Sequence, residues 1–98
     1  MARDYNFYVY IMANKHNTVL YVGITNELES RILDHKTGKS IFTAKYNCCK
    51  LVYMEQYVDV RNAIHREKQL KKWRTAWKLE LIKKTNPDMN DLAEKWYG

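Results

Sequence analysis

The sequence has few of the residues that crosslink a chain or interrupt its secondary structure. Its 98 residues include two cysteines, one proline and three glycines. The two cysteines, Cys48 and Cys49, are adjacent, so they cannot easily close a disulfide with each other. No disulfide framework is expected. Because the N-terminus also shows no secretory signal, we expect a cytoplasmic protein with reduced thiols.

Long apolar runs are also missing. No uninterrupted stretch approaches the roughly 20 apolar residues that cross a bilayer, so we expect no membrane span. Hydrophobic residues still make up 46% of the chain and charged residues 29%, which is typical of a globular protein and too apolar for intrinsic disorder. A chain of this length predicts a single domain over residues 1–98.

The formal net charge is +6, and it is concentrated in one segment. Residues 61–84 carry nine basic and two acidic groups, a net charge of +7, against +1 for residues 1–60 and −2 for residues 85–98. Such a cationic segment favours a polyanionic partner, most often nucleic acid. Binding to anionic lipid, or a contribution to solubility alone, would also explain the charge.

The first third of the chain predicts a β-hairpin. Residues 7–12 and 19–24 are rich in aromatic and β-branched side chains, and a polar segment separates them. With the turn centred on residues 15–16, Tyr10 would lie directly opposite Tyr21. The two phenols would then share one face of the sheet.

A short helix is expected after the second strand. Asn26 and the acidic residues that follow it are typical of a helix start, and Gly38 is typical of a helix end. Arg31 and His35 lie one turn apart on this helix, beside its apolar stripe. An irregular stretch containing Tyr46 is expected to follow.

Residues 51–58 predict a third strand, and Asp59 predicts the N-cap of a long helix or helix pair. Glu67 interrupts the apolar stripe of this helix. Asn86, followed by proline, predicts the cap of a last short helix. The apolar residues of the stripe recur at intervals of three and four and are Ala63, Ile64, Leu70, Trp73, Trp77 and Leu81.

The predicted order is strand, strand, helix, strand, helix, helix. The layer rules then give the α/β class, in a two-layer arrangement of helices covering a small mixed or antiparallel sheet.

Glu67 is the residue that most needs a chemical explanation, because a lone carboxylate on an apolar stripe is costly to bury. It could form an ion pair with a nearby arginine, or the helix could be rotated so that the side chain stays in water. It could instead hold Mg²⁺, which commonly takes one or two protein carboxylates and completes its shell with water and substrate phosphate.

The other candidate residues have two interpretations each. Tyr10 and Tyr21 could be packed aromatics, or could transfer a proton or position a phosphate. Arg31 could pair with Glu27 on its own helix, or bind a phosphoryl group through its guanidinium fork. His35 could be a surface residue or a proton shuttle.

These residues together resemble the GIY-YIG nuclease family. The family's two tyrosine motifs are matched by residues 8–10 and residues 21–23, with ten residues between them. Its arginine and glutamate are matched by Arg31 and Glu67. Tyr8 stands where the family name has glycine, and its bulk is expected to restrict the strand that enters. Further matching positions are Thr25, His35, Lys45, Tyr46, Arg66, Lys71, Lys72, Asn86 and Pro87.

The resemblance implies a three-stranded antiparallel sheet flanked by helices, and divalent-metal-dependent cleavage of a phosphodiester. Tyr10 would be the general base, and Tyr21 would position water or phosphate. Arg31 would stabilise the phosphoryl charge, and Glu67 would hold Mg²⁺ or Mn²⁺. Supporting positions are matched by His35 and Tyr46, whereas Asn86 is expected to act first as a cap.

The leading hypothesis is a metal-dependent endonuclease acting on DNA, including structured or damaged DNA of the kind met in DNA repair. RNA is not excluded as a substrate, and no obligate protein partner is evident. One alternative is a catalytically inactive nucleic-acid-binding module of the same fold, in which the basic segment with Trp73 and Trp77 contacts phosphates and bases. A protein-interaction adaptor with a basic surface is a third.

Overall fold

The structure is a computed structural model that describes residues 6–97. No helix in this part of the chain is long and apolar enough to cross a membrane. The three strands are β1 (Phe7–Ala13), β2 (Leu20–Thr25) and β3 (Lys50–Tyr57). The four helices are α1 (Leu28–Lys36), α2 (Ile41–Tyr46), α3 (Val60–Lys72) and α4 (Thr75–Thr85).

The three strands form one antiparallel sheet in the order β2-β1-β3, which confirms the predicted fold class. Central strand β1 is apolar on both faces. Val9 and Ile11 belong to one buried cluster, and Tyr10 and Met12 belong to another on the opposite face. A strand of this kind needs cover on both sides.

Both faces of the sheet are covered, so the fold has three layers and the two-layer prediction is wrong. Helices α3 and α4 contribute Ala63, Leu70 and Ile82 to the cluster around Val9. Helix α1 and the C-terminal segment contribute Ile32 and other residues to the cluster around Tyr10.

The hairpin register differs from the prediction. Tyr10 lies opposite Gly23, and Tyr21 lies opposite Met12. The turn is centred one residue later than predicted, between His16 and Asn17. The side-chain carbonyl of Asn14 closes it by accepting hydrogen bonds from the backbone N–H groups of Thr18 and Val19, at 2.8 and 3.1 Å. The pairing partner of Tyr10 is therefore shifted by two residues from the predicted one. Because side chains alternate between the two faces of a sheet with a period of two, the two phenols still share one face.

Helix α2 occupies the stretch predicted to be irregular. Thr43 is its buried residue, whereas Ile41 is 89% exposed. Its apolar residues therefore do not mark the buried side, and no helical pattern is visible in the sequence. Asn47, in the left-handed region at φ 56°, ends the helix.

The long helical segment divides in two. Asp59 caps α3 as predicted, accepting a hydrogen bond from the backbone of Arg61 at 2.9 Å. Trp73 and Arg74 are extended and separate α3 from α4. This break ends the helical periodicity, so the stripe does not continue as a core: Trp77 is 49% exposed.

The predicted last helix does not form, and residues 87–97 are turns and loops. Asn86 is instead the C-cap residue of α4. Its buried side-chain amide donates to the carbonyls of Val52 at 3.1 Å and Asn90 at 2.8 Å, and it accepts from the backbone of Asn90. These bonds hold the segment in a turn, and Met89 adopts a left-handed conformation within it.

Strand β3 contains an irregularity that makes this contact possible. Ile11 pairs with Tyr53, whereas Met12 pairs with Leu51, so Val52 has no direct partner on β1. A backbone carbonyl at such a bulge needs another donor. The Asn86 amide supplies it and ties the end of α4 to the sheet.

Gly23 is required by the close approach of Tyr10. A Cβ atom at this position would lie 2.4 Å from both Cζ and the hydroxyl oxygen of Tyr10. The ring of Tyr10 therefore lies across β2, in space that no other residue type at position 23 would leave free.

We predict that Gly23→Ala destabilises the fold by about 1–3 kcal/mol, because the added methyl group overpacks the Tyr10 ring. Urea titration followed by circular dichroism measures the change. In a Tyr10→Ala background the same substitution should cost much less, because the ring has been removed. An equal cost in both backgrounds would contradict this explanation.

Candidate active site

Tyr10 lies at the centre of the candidate site. It comes from the middle of β1 and has no solvent-exposed surface. Its hydroxyl oxygen is 2.7 Å from Nε2 of His35, which reaches it from α1. This contact brings Tyr10 and His35 together, whereas the sequence alone places His35 only beside Arg31.

His35 is buried and bonded at both ring nitrogens. Nδ1 lies 2.8 Å from the hydroxyl oxygen of Thr43, which is itself 3.4 Å from the carbonyl of Ser40. If the Thr43 hydroxyl donates its hydrogen to the Ser40 carbonyl, the hydroxyl oxygen accepts a hydrogen bond from Nδ1–H of His35. Nε2 is then unprotonated and accepts the proton of Tyr10. His35 is thus a core residue and not a surface residue.

Burial sets the charge of this pair. The pKa of His35 is lowered to about 4, mainly by burial and in part by the nearby Arg31, while Asp34 opposes the change. Burial also raises the pKa of Tyr10 to about 12, with a contribution in the same direction from Tyr21. Both groups are therefore neutral at neutral pH, and the phenol donates to the imidazole.

Tyr21 is only partly buried, and its ring lies next to Tyr10 and His35, with centroids 6.4 and 5.3 Å apart. On its other side it packs against Phe42 at 5.5 Å, and Phe42 packs against Tyr46 at 4.8 Å. Helix α2 therefore brings Tyr46 to the rim of the site, where it is 39% exposed.

Arg31 lies on the exposed side of α1, close enough to Tyr10 to lower its pKa by hydrogen bonding. The same bond raises the pKa of Arg31. Among residues 6–97 the guanidinium has no carboxylate within ion-pair distance, so the expected pair with Glu27 does not form. Arg31 also lines a cavity of about 280 Å³. Its charge is available for an anion.

Glu67 reaches the site from the opposite layer. Its side chain is 16% exposed and forms an ion pair with Lys71 at 3.1 Å, so its partner is a lysine and not an arginine. Helix α3 packs against all three strands, and one of them is β2, the edge strand that the Tyr10 ring crosses. The Glu67 carboxylate acts on Tyr10 through space and raises its pKa.

A network that the sequence analysis missed orients α3. Arg66 binds Glu55 of β3 at 3.0 Å, and the same carboxylate accepts from the hydroxyls of Tyr53 and, at 2.6 Å, Tyr57. Burial alone would raise the pKa of Glu55, but these hydrogen bonds outweigh it and lower the pKa. In the sequence, this network is indicated only by Glu55, whose strand position places its carboxylate on the face of the sheet that α3 covers.

The donor set restricts which metal could bind. Within residues 6–97, no three His, Cys, Asp or Glu side chains are grouped as metal ligands. A closed structural zinc site therefore does not fit the described residues. A single carboxylate at Glu67 does fit Mg²⁺ or Mn²⁺, whose remaining ligands are water and substrate oxygens. The ion itself stays a prediction.

Known proteins resemble this chain over most of its length. Residues 6–88 match the family model described as the GIY-YIG catalytic domain. The UPF0213 protein of Syntrophus aciditrophicus is 39% identical, with 83% of this chain and 93% of that protein aligned. The UPF0213 protein of Clostridium perfringens is 42% identical over 76% of this chain and 81% of its own length.

The solution NMR structure of the UPF0213 protein BH0048 from Bacillus halodurans has a similar fold. The TM-score is 0.54 at 27% identity, with 92% of this chain and 97% of that chain covered.

We predict that the free energy of unfolding falls as the pH is lowered from about 6.5 to about 4. In this range the unfolded chain binds a proton at His35 that the folded protein does not bind, so stability is lost as the pH falls. The slope should approach about 1.4 kcal/mol per pH unit. Urea titrations at several pH values measure it.

His35→Gln should flatten this dependence, whereas His16→Gln, at an exposed histidine, should leave it unchanged. An unchanged slope in His35→Gln would show that another group is responsible. The Glu55 carboxyl, whose pKa is lowered from 4.5 in the folded protein, adds to the loss of stability at the acid end of this range.

Proposed function

Because the chain belongs to the GIY-YIG catalytic domain family, we propose that it is a metal-dependent endonuclease that hydrolyses phosphodiester bonds in DNA. The observation that carries the proposal is the surroundings of one hydroxyl. His35 bonds to the Tyr10 oxygen, and Tyr21, Arg31 and Glu67 all act on its pKa. The four residues around Tyr10 come from β2, α1 and α3.

Arg31 is the residue that binds the scissile phosphate. Its guanidinium has no acidic partner among residues 6–97 and presents a fixed fork of donors that suits two phosphate oxygens. Charge that builds on the phosphoryl group during attack would be stabilised there. Tyr21, half-exposed beside Arg31, positions the attacking water.

Glu67 would hold Mg²⁺ or Mn²⁺, with water and phosphate oxygens as the other ligands. When bound, such an ion polarises a phosphate oxygen and makes the attacking water more acidic. The ion pair between Glu67 and Lys71 holds the carboxylate in place before binding. Lys71 is half-exposed and can move aside without a loss of packing.

Tyr10 and His35 together handle the proton of the attacking water. Complete transfer from Tyr10, with a pKa of about 12, to His35, with a pKa of about 4, is uphill on the order of 10 kcal/mol. The phenol therefore stays neutral in the free protein. Its oxygen accepts a proton from water only in the step in which the new P–O bond forms, while its own proton moves toward Nε2.

The complete burial of Tyr10 favours the second candidate, a nucleic-acid-binding module without turnover. A general base must come within hydrogen-bond reach of the water. Tyr10 reaches it only if side chains that cover Tyr10 move when substrate binds. The binding module would keep Arg31 and the basic helices but would not need this movement.

The thiol of Cys49 is free and exposed, which supports a cytoplasmic location because an exposed thiol persists in a reducing compartment. Within that setting we assign DNA as the first substrate to test and RNA as the second.

We predict that the protein nicks supercoiled plasmid DNA in the presence of Mg²⁺ or Mn²⁺ and that EDTA abolishes the nicking. Glu67→Gln and Arg31→Gln should each reduce the rate by at least ~100-fold, because each removes transition-state stabilisation worth several kcal/mol. Gel electrophoresis of open-circular product measures the rate. Tyr10→Phe should have a similar effect on the rate.

Two matched controls make the same changes in charge at exposed positions outside the candidate site. Glu94→Gln and Lys95→Gln alter exposed residues of the C-terminal segment and should retain full activity. Thermal unfolding of every variant checks that the fold is retained. DNA binding by all variants without nicking under any metal condition would support the binding module instead.

A further inference from the structure

A second cavity lies outside the candidate active site, between the end of α3 and the exposed side of α4. Its volume is about 380 Å³, which suits a planar ring system of the size of a nucleobase. The residues that line it are Trp73, Trp77, Glu80, Leu81 and Lys84.

Two tryptophans form the aromatic wall of this cavity. Trp73 and Trp77 meet edge to face, with ring centroids 6.1 Å apart and an interplanar angle of 85°. Trp77 is 49% exposed, so much of its ring is open to solvent. Guanidinium groups lie near both rings, Arg66 at 5.2 Å from Trp73 and Arg74 at 5.6 Å from Trp77.

The surroundings of the cavity are strongly basic. Residues 61–84, which span α3 and most of α4, carry the net charge of +7. This charge is complementary to a phosphate backbone. Glu80 and Lys84 provide an acceptor and a donor in the cavity wall, which suits the edge of a base. The exposed basic residues nearest the cavity in sequence are Lys71, Lys72, Arg74, Lys83 and Lys84.

A larger groove elsewhere lacks this complementarity. It has a volume of about 750 Å³ and is lined by Tyr8 and Trp96, but also by Glu27 and Glu29. Two carboxylates without a lysine or arginine in the lining disfavour a polyanion. Tyr8, the departure from the family motif, therefore belongs to a groove that is less suited to phosphate than the tryptophan cavity.

We propose that the Trp73–Trp77 cavity stacks an unpaired base of a nucleic-acid strand whose phosphates lie along the basic residues of α3 and α4. The identification of this strand as the substrate rests on the proposed nuclease function, whereas the stacking itself does not. Stacking on an aromatic side chain accepts any base, so the site selects for single-stranded structure and not for sequence.

The position of the cavity relative to Glu67 supports this arrangement. Trp73, the C-cap residue of α3, lies six positions after Glu67, which corresponds to roughly 9 Å along the helix axis. Stacked nucleotides of one strand advance by about 3.4 Å each. Because the two side chains also differ in direction around the helix, the stacked base would lie at least two to three nucleotides from the phosphate at the candidate site. A substrate with unpaired bases next to the cut, such as a flap, gap or branch, fits this spacing.

The test is the binding of a fluorescein-labelled 15-nucleotide oligothymidylate, followed by fluorescence anisotropy in EDTA so that no cleavage occurs. Trp77→Leu should weaken binding by about fivefold or more, because stacking is lost. The matched control Trp77→Tyr keeps an aromatic ring and should restore most of the affinity. Equal affinity of Trp77→Leu and the unaltered protein would overturn the proposal.

A second measurement does not depend on any variant. An oligonucleotide of the same length that lacks its bases retains the phosphates, and the unaltered protein should bind it about as weakly as Trp77→Leu binds oligothymidylate. The dependence of affinity on salt should be the same for both oligonucleotides, because stacking releases no counterions. Equal binding of the two oligonucleotides would show that only phosphates are contacted, and would overturn the proposal.

The salt dependence separates the two parts of the site. Lys84→Gln should lower the salt slope, whereas Trp77→Leu should lower affinity at every salt concentration without changing the slope. If sedimentation shows that Trp77 instead holds two copies of the chain together, the proposal is wrong. Loss of nicking in every assay with stacking retained would remove the nuclease function but leave this site in place.

Discussion

The contact between Tyr10 and Gly23 is the constraint on which the candidate site depends. Tyr10 is on the central strand, which is paired on both sides, so its backbone cannot shift without breaking the sheet. The bare backbone at Gly23 lets the ring lie across the neighbouring strand. The hydroxyl is therefore directed by the sheet toward His35, and the geometry depends on rigid elements more than on loops.

The electrostatics follow from the same burial. Neutral phenol and neutral imidazole are the stable forms inside the sheet layer. Among residues 6–97, the full charges that act on the phenol are those of Arg31 and Glu67. Arg31 suits an anion, and Glu67 suits a cation. Fixed charges of opposite sign on either side of a neutral hydrogen-bonded pair form an environment that needs little reorganisation when a phosphate and a metal ion bind.

Features that depend on local patterning could be predicted from the sequence. The hairpin, the shared face of the two phenols and the Asp59 cap follow from side-chain alternation and capping chemistry. The register could not be predicted, because it depends on how the Asn14 side chain closes the turn. Helix α2 was missed because its apolar residues face outward.

The same distinction applies to the site. The spacing of Arg31 and His35 predicts that they are neighbours, since one helical turn separates them. The contact of His35 with Thr43 joins two helices, and no pattern within either helix indicates it. Glu55 was missed for the same reason, because its partner Arg66 lies on a different element.

The C-terminal segment also changes what the sheet can do at its β3 edge. The backbone of Leu51 is occupied by Leu92 and by the side chain of Asp91, at 2.7 and 3.1 Å. An edge covered in this way cannot accept a foreign strand there, and self-association through added strands is blocked along that half of β3. Pairing with a foreign strand would therefore begin at the other half of β3, which contains Met54 and Gln56.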